Sequence, residues 1–130
     1  MINPQNIFSS FSVIDLDSSE KFYNKVLGLK TKKDKMGVHV FIADEHEVFL
    51  YPKNEQHIPA TFTVLNLVVP NIEEAAEHLA KHGISLEKYD GLWQDEDGIM
   101  RAESAEDGPS ICWFKDPSGN VLSFIEANNQ

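Results

Sequence analysis

The side chains best suited to chemistry in this sequence are its five histidines, because imidazole can bind a metal ion or carry a proton near neutral pH. His78 and His82 stand four residues apart, which places two imidazoles on one face of a helix. No HExxH motif accompanies them, so solvated histidines on a helix surface are the favoured interpretation. His39 lies in an alternating segment typical of a strand, where a hydrogen-bonded wall residue is favoured over a general base. His46, flanked by two glutamates, is expected at an exposed turn.

Nucleophilic and anion-binding candidates are few. Cys112 is the only cysteine, which excludes an intramolecular disulfide and a zinc site with several thiolates. It has no cationic neighbour in sequence, so a role as nucleophile is not expected. Arg101 is the only cation between Lys88 and Lys115, in an acidic stretch. Its guanidinium could clamp a ligand carboxylate or phosphate, but an ion pair with a neighbour such as Glu103 is favoured.

Composition places these residues in a globular protein of acidic charge. Of its 130 residues, 42% are hydrophobic, and 21 acidic against 11 basic residues give a net charge of -10. This length fits a single domain, and the charge disfavours nucleic acid and anionic lipid as partners. No apolar run approaches the roughly 20 residues of a membrane span, and the N-terminus lacks the regions of a signal peptide. We therefore expect a soluble cytoplasmic protein.

The two halves of the sequence repeat one pattern of elements. Each half begins with an apolar run typical of a strand, continues into a capped helix and stops at a glycine. The predicted N-caps are Asp17 and Asn71, each followed three residues later by a glutamate that completes a capping box. Gly28 and Gly83 can adopt the left-handed conformation that ends a helix. The sequence therefore predicts a duplicated unit.

Strand patterns follow each predicted helix. The expected strands are 29–33, 38–43 and 47–53 in the first half, and 86–89, 110–115 and 120–127 in the second. The turn at 116–119, Asp-Pro-Ser-Gly, joins the last two strands. Residues 90–109 carry no periodicity and are too many for a hairpin turn. A disordered surface loop and a packed lid over a site both remain open, and the cost of exposing Trp93, Ile99 and Met100 to water favours the lid.

In this paired layout, the segments FYNKVLGLK at 22–30 and WFKDPSGNVLSFIE at 113–126 resemble the vicinal oxygen chelate superfamily. That group includes glyoxalase I, bleomycin-resistance proteins, extradiol dioxygenases and fosfomycin-resistance enzymes. The resemblance runs from about Ile7 to Glu126 and implies an α+β fold, in which two βαβββ modules form a curled mixed sheet around a cavity. We expect one such domain over 1–130, with module one at 5–53, a linker at 54–60 and module two at 61–127.

Enzymes of this superfamily hold a divalent metal ion with one side chain, typically His or Glu, from the first and last strands of each module. Register taken from the helix starts and the 116–119 turn places these four positions at Phe8, Phe49, Val64 and Ser123. Only Ser123 carries an oxygen, and a slip of one residue gives no better donor set. The sequence departs from the metalloenzyme pattern, so we expect neither a metal ion nor another cofactor.

The cavity that the resemblance implies would then be apolar and aromatic, with a few polar groups, which suits a small, partly hydrophobic organic molecule. The candidate ligand-binding residues are Phe8, Ser10, Phe49, Tyr51, Val64, Asn66, Trp93, Arg101 and Ser123. The expected function is sequestration of such a molecule by a homodimer, as in bleomycin-resistance proteins. Two alternatives remain open. One is a metal-dependent glyoxalase- or dioxygenase-type enzyme with ligands such as His39 and Glu47, and the other is an interaction module whose own aromatics fill the cavity.

Overall fold

The computed structural model describes residues 1–44, 46–104, 106 and 108–127. Its contacts divide the chain into two compact units, Met1–Pro59 and Ala60–Gln130. Each unit combines a β-sheet with a short helical segment, so the fold class is α+β, as predicted. No helix in the described residues has the length and apolar character needed to cross a bilayer.

The described residues of the first unit form four strands, one α-helix and two short helical turns. The strands are β1 (Ser9–Val13), β2 (Lys30–Lys33), β3 (Val38–Ile42) and β4 (His46–Pro52). The helix α1 (Leu16–Lys21) continues as a π-helical turn at Phe22–Val26, and a 3₁₀ turn spans Asn54–Gln56. The strand order is β1-β4-β3-β2, with β1 parallel to β4 and the remaining pairs antiparallel.

The start of α1 lies two residues before the predicted one. Asp15, in extended conformation, is the N-cap, and its Oδ2 accepts a hydrogen bond of 2.8 Å from the backbone N–H of Ser18. The prediction of Asp17 as the cap is wrong, because Asp17 lies inside the first helical turn, where it pairs with Lys33. The predicted stop at Gly28 is confirmed, since this glycine has a φ of 73°.

One face of the first sheet forms the core of its unit. Its almost completely buried side chains are Val13, Val38, Val40, Val48 and Leu50. The helix α1 contacts β3 and β4, and the buried ring of Tyr23 lies 6.4 Å from that of Phe11 on this face. Because side chains alternate along a strand, a register slip of one residue would turn all of this apolar surface to water. Burial of this face therefore fixes which residues lie on the other.

The described residues of the second unit form three strands and one helix, namely β5 (Thr63–Val69), α2 (Ile72–Lys81), β6 (Ile111–Lys115) and β7 (Val121–Glu126). The strand order is β5-β7-β6, with β5 parallel and β6 antiparallel to β7. The predicted cap of α2 is confirmed, because Asn71 Oδ1 accepts a hydrogen bond of 3.0 Å from the N–H of Glu74. Gly83, with a φ of 76°, ends the helix as expected.

The second sheet packs one face against α2, and the buried side chains of that face are Leu67, Cys112, Phe114, Leu122 and Phe124. On the other face, Val121 and Ser123 of β7 are buried as well. The helix α2 contacts β6 and β7 and contributes Ile72 and Leu79, both of which are almost fully buried. Each unit therefore has a sheet with a helix on one face, and the residues between the core positions lie on the opposite face.

The predicted strand at 86–89 is not a strand in the structure. The N–H of Glu87 donates to the carbonyl of Trp113 at 2.8 Å, which is a single ladder-like bond. The side chain of Gln94 forms hydrogen bonds with the neighbouring backbone groups. Its Oε1 accepts from Tyr89 N–H at 2.8 Å, and its Nε2 donates to Glu87 O at 3.0 Å. A side chain has thus replaced the strand partner that these groups would need.

The turn between β6 and β7 is held by a buried carboxylate. Asp116 Oδ1 accepts hydrogen bonds of 2.9 Å from the N–H groups of both Ser118 and Asn120, and Gly119 takes the positive φ of 82° that the turn requires. Asp116, Ser118 and Asn120 are all buried. The turn therefore fixes where β7 begins.

We predict that Asp116→Ala lowers the free energy of unfolding by about 2–3 kcal/mol, because it leaves two buried N–H groups without their charged acceptor. Pro117→Ala, at an exposed position of the same turn, is the matched control and is expected to change it by less than about 1 kcal/mol. Urea denaturation followed by circular dichroism measures both. Equal destabilisation by the two variants would contradict this role of Asp116.

Candidate functional site

The face of the first sheet that carries no helix brings together aromatic and polar side chains. Pairing of β1 with β4 sets Ser10 opposite Phe49 and Ser12 opposite Tyr51. Pairing of β3 with β4 sets His39 opposite Phe49. Residues paired across strands point to the same side of a sheet, so these five residues share one surface, which we call the open face of the first unit. The shared face that strand alternation predicts for the serines, Phe49 and Tyr51 is confirmed.

Phe8 precedes β1 and extends the open face. Its ring is 57% exposed and meets the ring of Phe49 edge to face, with a centroid distance of 6.5 Å. Edge-to-face pairs are favourable for aromatic rings. The two positions of this unit at which the resemblance implies metal ligands are therefore held by aromatic rings in contact.

His39 is the centre of a hydrogen-bonded cluster on the open face. Its Nδ1 donates to Glu47 Oε2 at 3.1 Å, and its Nε2 donates to Asp34 Oδ2 at 2.9 Å. Its ring centroid lies 4.9 Å from that of Phe49. Only the protonated imidazolium can donate from both nitrogens. The hydrogen-bonded strand position expected for this histidine is confirmed, with two carboxylates as its partners. Its place in the wall of a cavity stays a prediction.

This cluster shifts the pKa values of His39 and Asp34. The hydrogen bond to Glu47, followed by that to Asp34, raises the pKa of His39 above its usual value of 6.5, against a smaller opposing effect of burial. The same hydrogen bond lowers the pKa of Asp34. His39 is therefore charged over a wider pH range than a free histidine.

Ser12 contacts a histidine that the sequence pattern does not single out. Its hydroxyl lies 2.8 Å from Nδ1 of His57, and His57 is buried, with 9% of its surface exposed. The two residues are 45 positions apart, and His57 follows a short 3₁₀ turn in a polar segment. No spacing rule connects them, which is why sequence reasoning missed His57.

The second unit has a corresponding open face. Asn66 of β5 pairs with Ser123 of β7, and Trp113 of β6 lies on the other side of Ser123. The Ser123 hydroxyl donates to Asn66 Oδ1 at 2.6 Å, and Ser123 is fully buried while Asn66 is exposed. This hydrogen bond orients the Asn66 amide, so that its nitrogen points away from Ser123.

Val64 lies where the pairing of β5 with β7 is irregular. Thr63 pairs with Val121, and Leu65 pairs with the next residue of β7, Leu122. Two steps along β5 therefore match one step along β7, and the register shifts between Thr63 and Leu65. Such an irregularity interrupts the alternation of side chains. Regular alternation, which predicts that Val64 and Asn66 point to the same face, therefore does not hold at Val64.

Trp93 is exposed instead of packed. The structure leaves 92% of its surface accessible, whereas Ile99 from the same loop is 2% exposed and Met100 pairs with Ile111 in an isolated β-bridge. The expectation of a packed segment is thus correct for Ile99 and wrong for Trp93. The side chain of the neighbouring Gln94 bonds the backbone on both sides of this tryptophan.

Arg101 is held by acidic side chains of its own unit. Its Nε donates to Asp95 Oδ2 at 2.7 Å and its Nη1 to Glu73 Oε1 at 2.8 Å. The expected ion pair is confirmed, although its partners are Asp95 and Glu73 and not the neighbouring Glu103. Burial raises the pKa of Asp95, but the hydrogen bonds from Ile99 N–H and from Arg101 outweigh it, so the net shift is downward. Arg101 therefore lies beside α2 of its own unit.

The residues of this chain do not fit the divalent metal ion that the resemblance implies. Two of the four expected positions are the contacting rings of Phe8 and Phe49, and the hydroxyl of Ser123 already donates to Asn66. Among the described residues, no three or more His, Cys, Asp or Glu side chains converge on a point where they could hold a metal ion. The Glu47 and Asp34 carboxylates bind opposite edges of the His39 ring, which keeps these three from meeting at one ion.

Neither the histidine pair near the end of α2 nor Cys112 meets the requirements of the site considered for it. The rings of His78 and His82 lie 4.8 Å apart on and just after α2, on exposed residues, without a third donor in the described part of the chain. Burial raises the pKa of the Cys112 thiol to about 11, so this cysteine is protonated at neutral pH and is a poor nucleophile.

The sequence profile of the Glyoxalase/Bleomycin resistance protein/Dioxygenase superfamily matches residues 8–124. The chain belongs to this superfamily, as its motifs indicate. Among curated proteins, none matches the sequence.

Solved structures show the same fold. FosX, a genomically encoded fosfomycin resistance protein from Listeria monocytogenes, superposes with a TM-score of 0.72 at 11% identity, over 98% of this chain and 96% of that one. UcmS2 gives 0.71 at 18% identity, over 97% and 100% of the two chains. TnmS3, an antibiotic binding protein from Streptomyces sp. CB03234, gives 0.64 at 17% identity, over 95% and 97%. At such identities the likeness shows the fold alone, so the function must be argued from residues.

We predict that the cluster around His39 makes the stability of the protein fall as pH rises. Because the fold raises the pKa of His39 above 6.5, the stabilisation is fully present below pH 6.5 and is lost as pH rises through the folded-state pKa. His39→Gln is expected to remove this dependence, whereas His78→Gln, on the exposed surface of α2, retains it. Urea denaturation at several pH values from 6 to 9 measures the effect, and identical profiles for wild type and His39→Gln would contradict it.

Proposed function

We propose that this protein binds a small, partly hydrophobic organic molecule without the help of a metal ion. The observation that carries the proposal is the contact of Phe8 with Phe49, because it puts apolar surface where metalloenzymes of the superfamily need donors. Membership in a superfamily that includes bleomycin-resistance proteins supports it. The fold shared with TnmS3, an antibiotic binding protein, is compatible with the same class of function.

The open face of the first unit offers the chemistry that such a ligand needs. Phe8, Phe49 and Tyr51 supply aromatic surface that is exposed or half-buried, so covering it with an apolar ligand is favourable. The hydroxyl of Ser10 lies on the same face and can bond a polar group of the ligand. Sparse polar groups on an apolar surface are typical of sites that orient small organic molecules.

The open face of the second unit, taken by itself, also offers polar and apolar groups to a small organic molecule. Asn66 is the best supported of them, because its amide nitrogen donates to no residue in the described parts of the chain while Ser123 holds its oxygen. The amide nitrogen is therefore available to a carbonyl or ether oxygen of a molecule bound at the open face of the second unit. Val64, Trp93 and Ser123 remain predicted contacts.

The proposal includes a homodimer that works in the cytoplasm, which the resemblance to bleomycin-resistance proteins implies, with no nucleic-acid or membrane partner. A net charge of -10 disfavours phosphate backbones and anionic lipid and is compatible with a ligand that carries a positive charge. The enzymatic alternative would use His39 and Glu47 as metal ligands. Their direct hydrogen bond, with Asp34 on the second nitrogen, argues against it.

We predict that Phe8→Ala weakens ligand binding about tenfold, because it removes part of the apolar surface that the ligand covers. A thermal-shift screen of aromatic antibiotics and metabolites, run in EDTA, identifies a ligand by its stabilisation of the folded state. Calorimetric titration then gives the affinity of each variant.

Phe62→Ala is the matched control, since Phe62 is 69% exposed, precedes β5 and is not a proposed contact. Its affinity is expected to equal that of the wild type. Binding that requires an added metal ion, or equal weakening by both variants, would contradict the proposed site.

A further inference from the structure

A groove of about 860 Å³ lies beside α2 in the second unit, and no residue of that unit's open face lines it. The apolar part of its lining, which we call the floor, consists of Ile84, Leu86 and the buried Ile99. The wall on the side of α2 carries Ala76 and Ala80, whose short side chains leave the space open. The volume lies within the range of small-molecule sites.

The groove is held open by contacts that fix its second wall. Arg101 bonds both Asp95 in the loop and Glu73 in α2, so it ties the loop to the helix. Asp95 in turn accepts hydrogen bonds from the N–H groups of Asp97 and Ile99 at 3.0 and 2.9 Å. The positive charge of Arg101 is therefore balanced by Asp95 and Glu73. The loop wall that these bonds hold in place is formed without a ligand.

The charged part of the lining, which we call the rim, holds more acidic than basic side chains. The side chains of Glu77, Glu96 and Asp97 line it and form no ion pair with any residue that the structure describes. Lys88 is the single positive side chain in the lining besides Arg101. An occupant with positive charge would complement this rim, whereas an anion would be repelled.

We propose that this groove binds an organic cation with an apolar body, at a site separate from the open faces. The apolar floor takes the hydrocarbon part of the molecule, and the carboxylates of Glu77, Glu96 and Asp97 take its ammonium groups. The site does not depend on the function proposed above, because it shares no residue with the open face of the first unit.

Titration of the ¹⁵N-labelled full chain with 1,8-diaminooctane at pH 7 tests the proposal, and 1,8-octanediol serves as the neutral probe of equal length. We expect saturable amide shifts clustered at 76–88 and 96–101 with the diamine and only weak shifts with the diol. Shifts scattered over acidic residues of the whole chain, or equal shifts with both probes, would overturn the proposal.

Two variants separate a site from diffuse attraction to an acidic protein. Glu77→Gln and Glu74→Gln change the net charge equally on the same helix, but only Glu77 lines the groove. We expect Glu77→Gln to raise the Kd of the diamine about two- to fivefold and Glu74→Gln to leave it unchanged. Ala80→Leu fills the groove from an exposed position and is expected to reduce binding further. Equal effects of the two glutamate variants, or undiminished binding by Ala80→Leu, would refute the site.

Discussion

The chemistry available to this protein depends on one constraint: each sheet packs one face against the helix of its own unit. In the first unit Val48 and Leu50 are core residues, so Phe49 between them must point to the other side. In the second unit Leu122 and Phe124 are buried in the core, and Ser123 between them turns to Asn66. Because side chains alternate along a strand, the residues that pack in the core determine which residues lie on the open face. A shift of the register by one residue would turn the core side chains to the open face and the open-face side chains to the core.

Membership in the superfamily supplies the fold but does not decide the chemistry, because the same scaffold serves metalloenzymes and binding proteins. The side chains at the open face make the difference. A Lewis-acid mechanism needs at least two nitrogen or carboxylate donors converging on one ion. Here the hydrocarbon rings of Phe8 and Phe49 lie at two of the positions where the resemblance implies metal ligands. Both ring nitrogens of His39 bond carboxylates. The resulting surface can bind by burial and orient by a few hydrogen bonds.

Sequence patterns predicted the elements well wherever the signal was local. Asn71 with Glu74 marks the start of α2 because the cap bonds a residue three positions away. Two aspartates near α1 both suit an N-cap, and only the extended backbone of Asp15 distinguishes it from Asp17. Contacts between residues that are distant in sequence could not be predicted from local patterns. The Gln94 side chain bonds the backbone of residues 86–89 in place of a neighbouring strand. Ser12 contacts His57, which lies 45 positions away in sequence. The irregular pairing near Val64 likewise leaves no mark in the hydrophobic pattern.

The most direct test of metal-free binding is the metal content of the purified chain after incubation with Ni²⁺, Zn²⁺, Mn²⁺ or anaerobic Fe²⁺ and removal of free ions by gel filtration. Mass spectrometry of the digested protein counts each ion per chain. Metal-free binding predicts far less than one ion per chain for every metal, and the same value after Glu47→Gln. One ion per chain in the wild type, lost in the Glu47→Gln or His39→Gln variant, would contradict it.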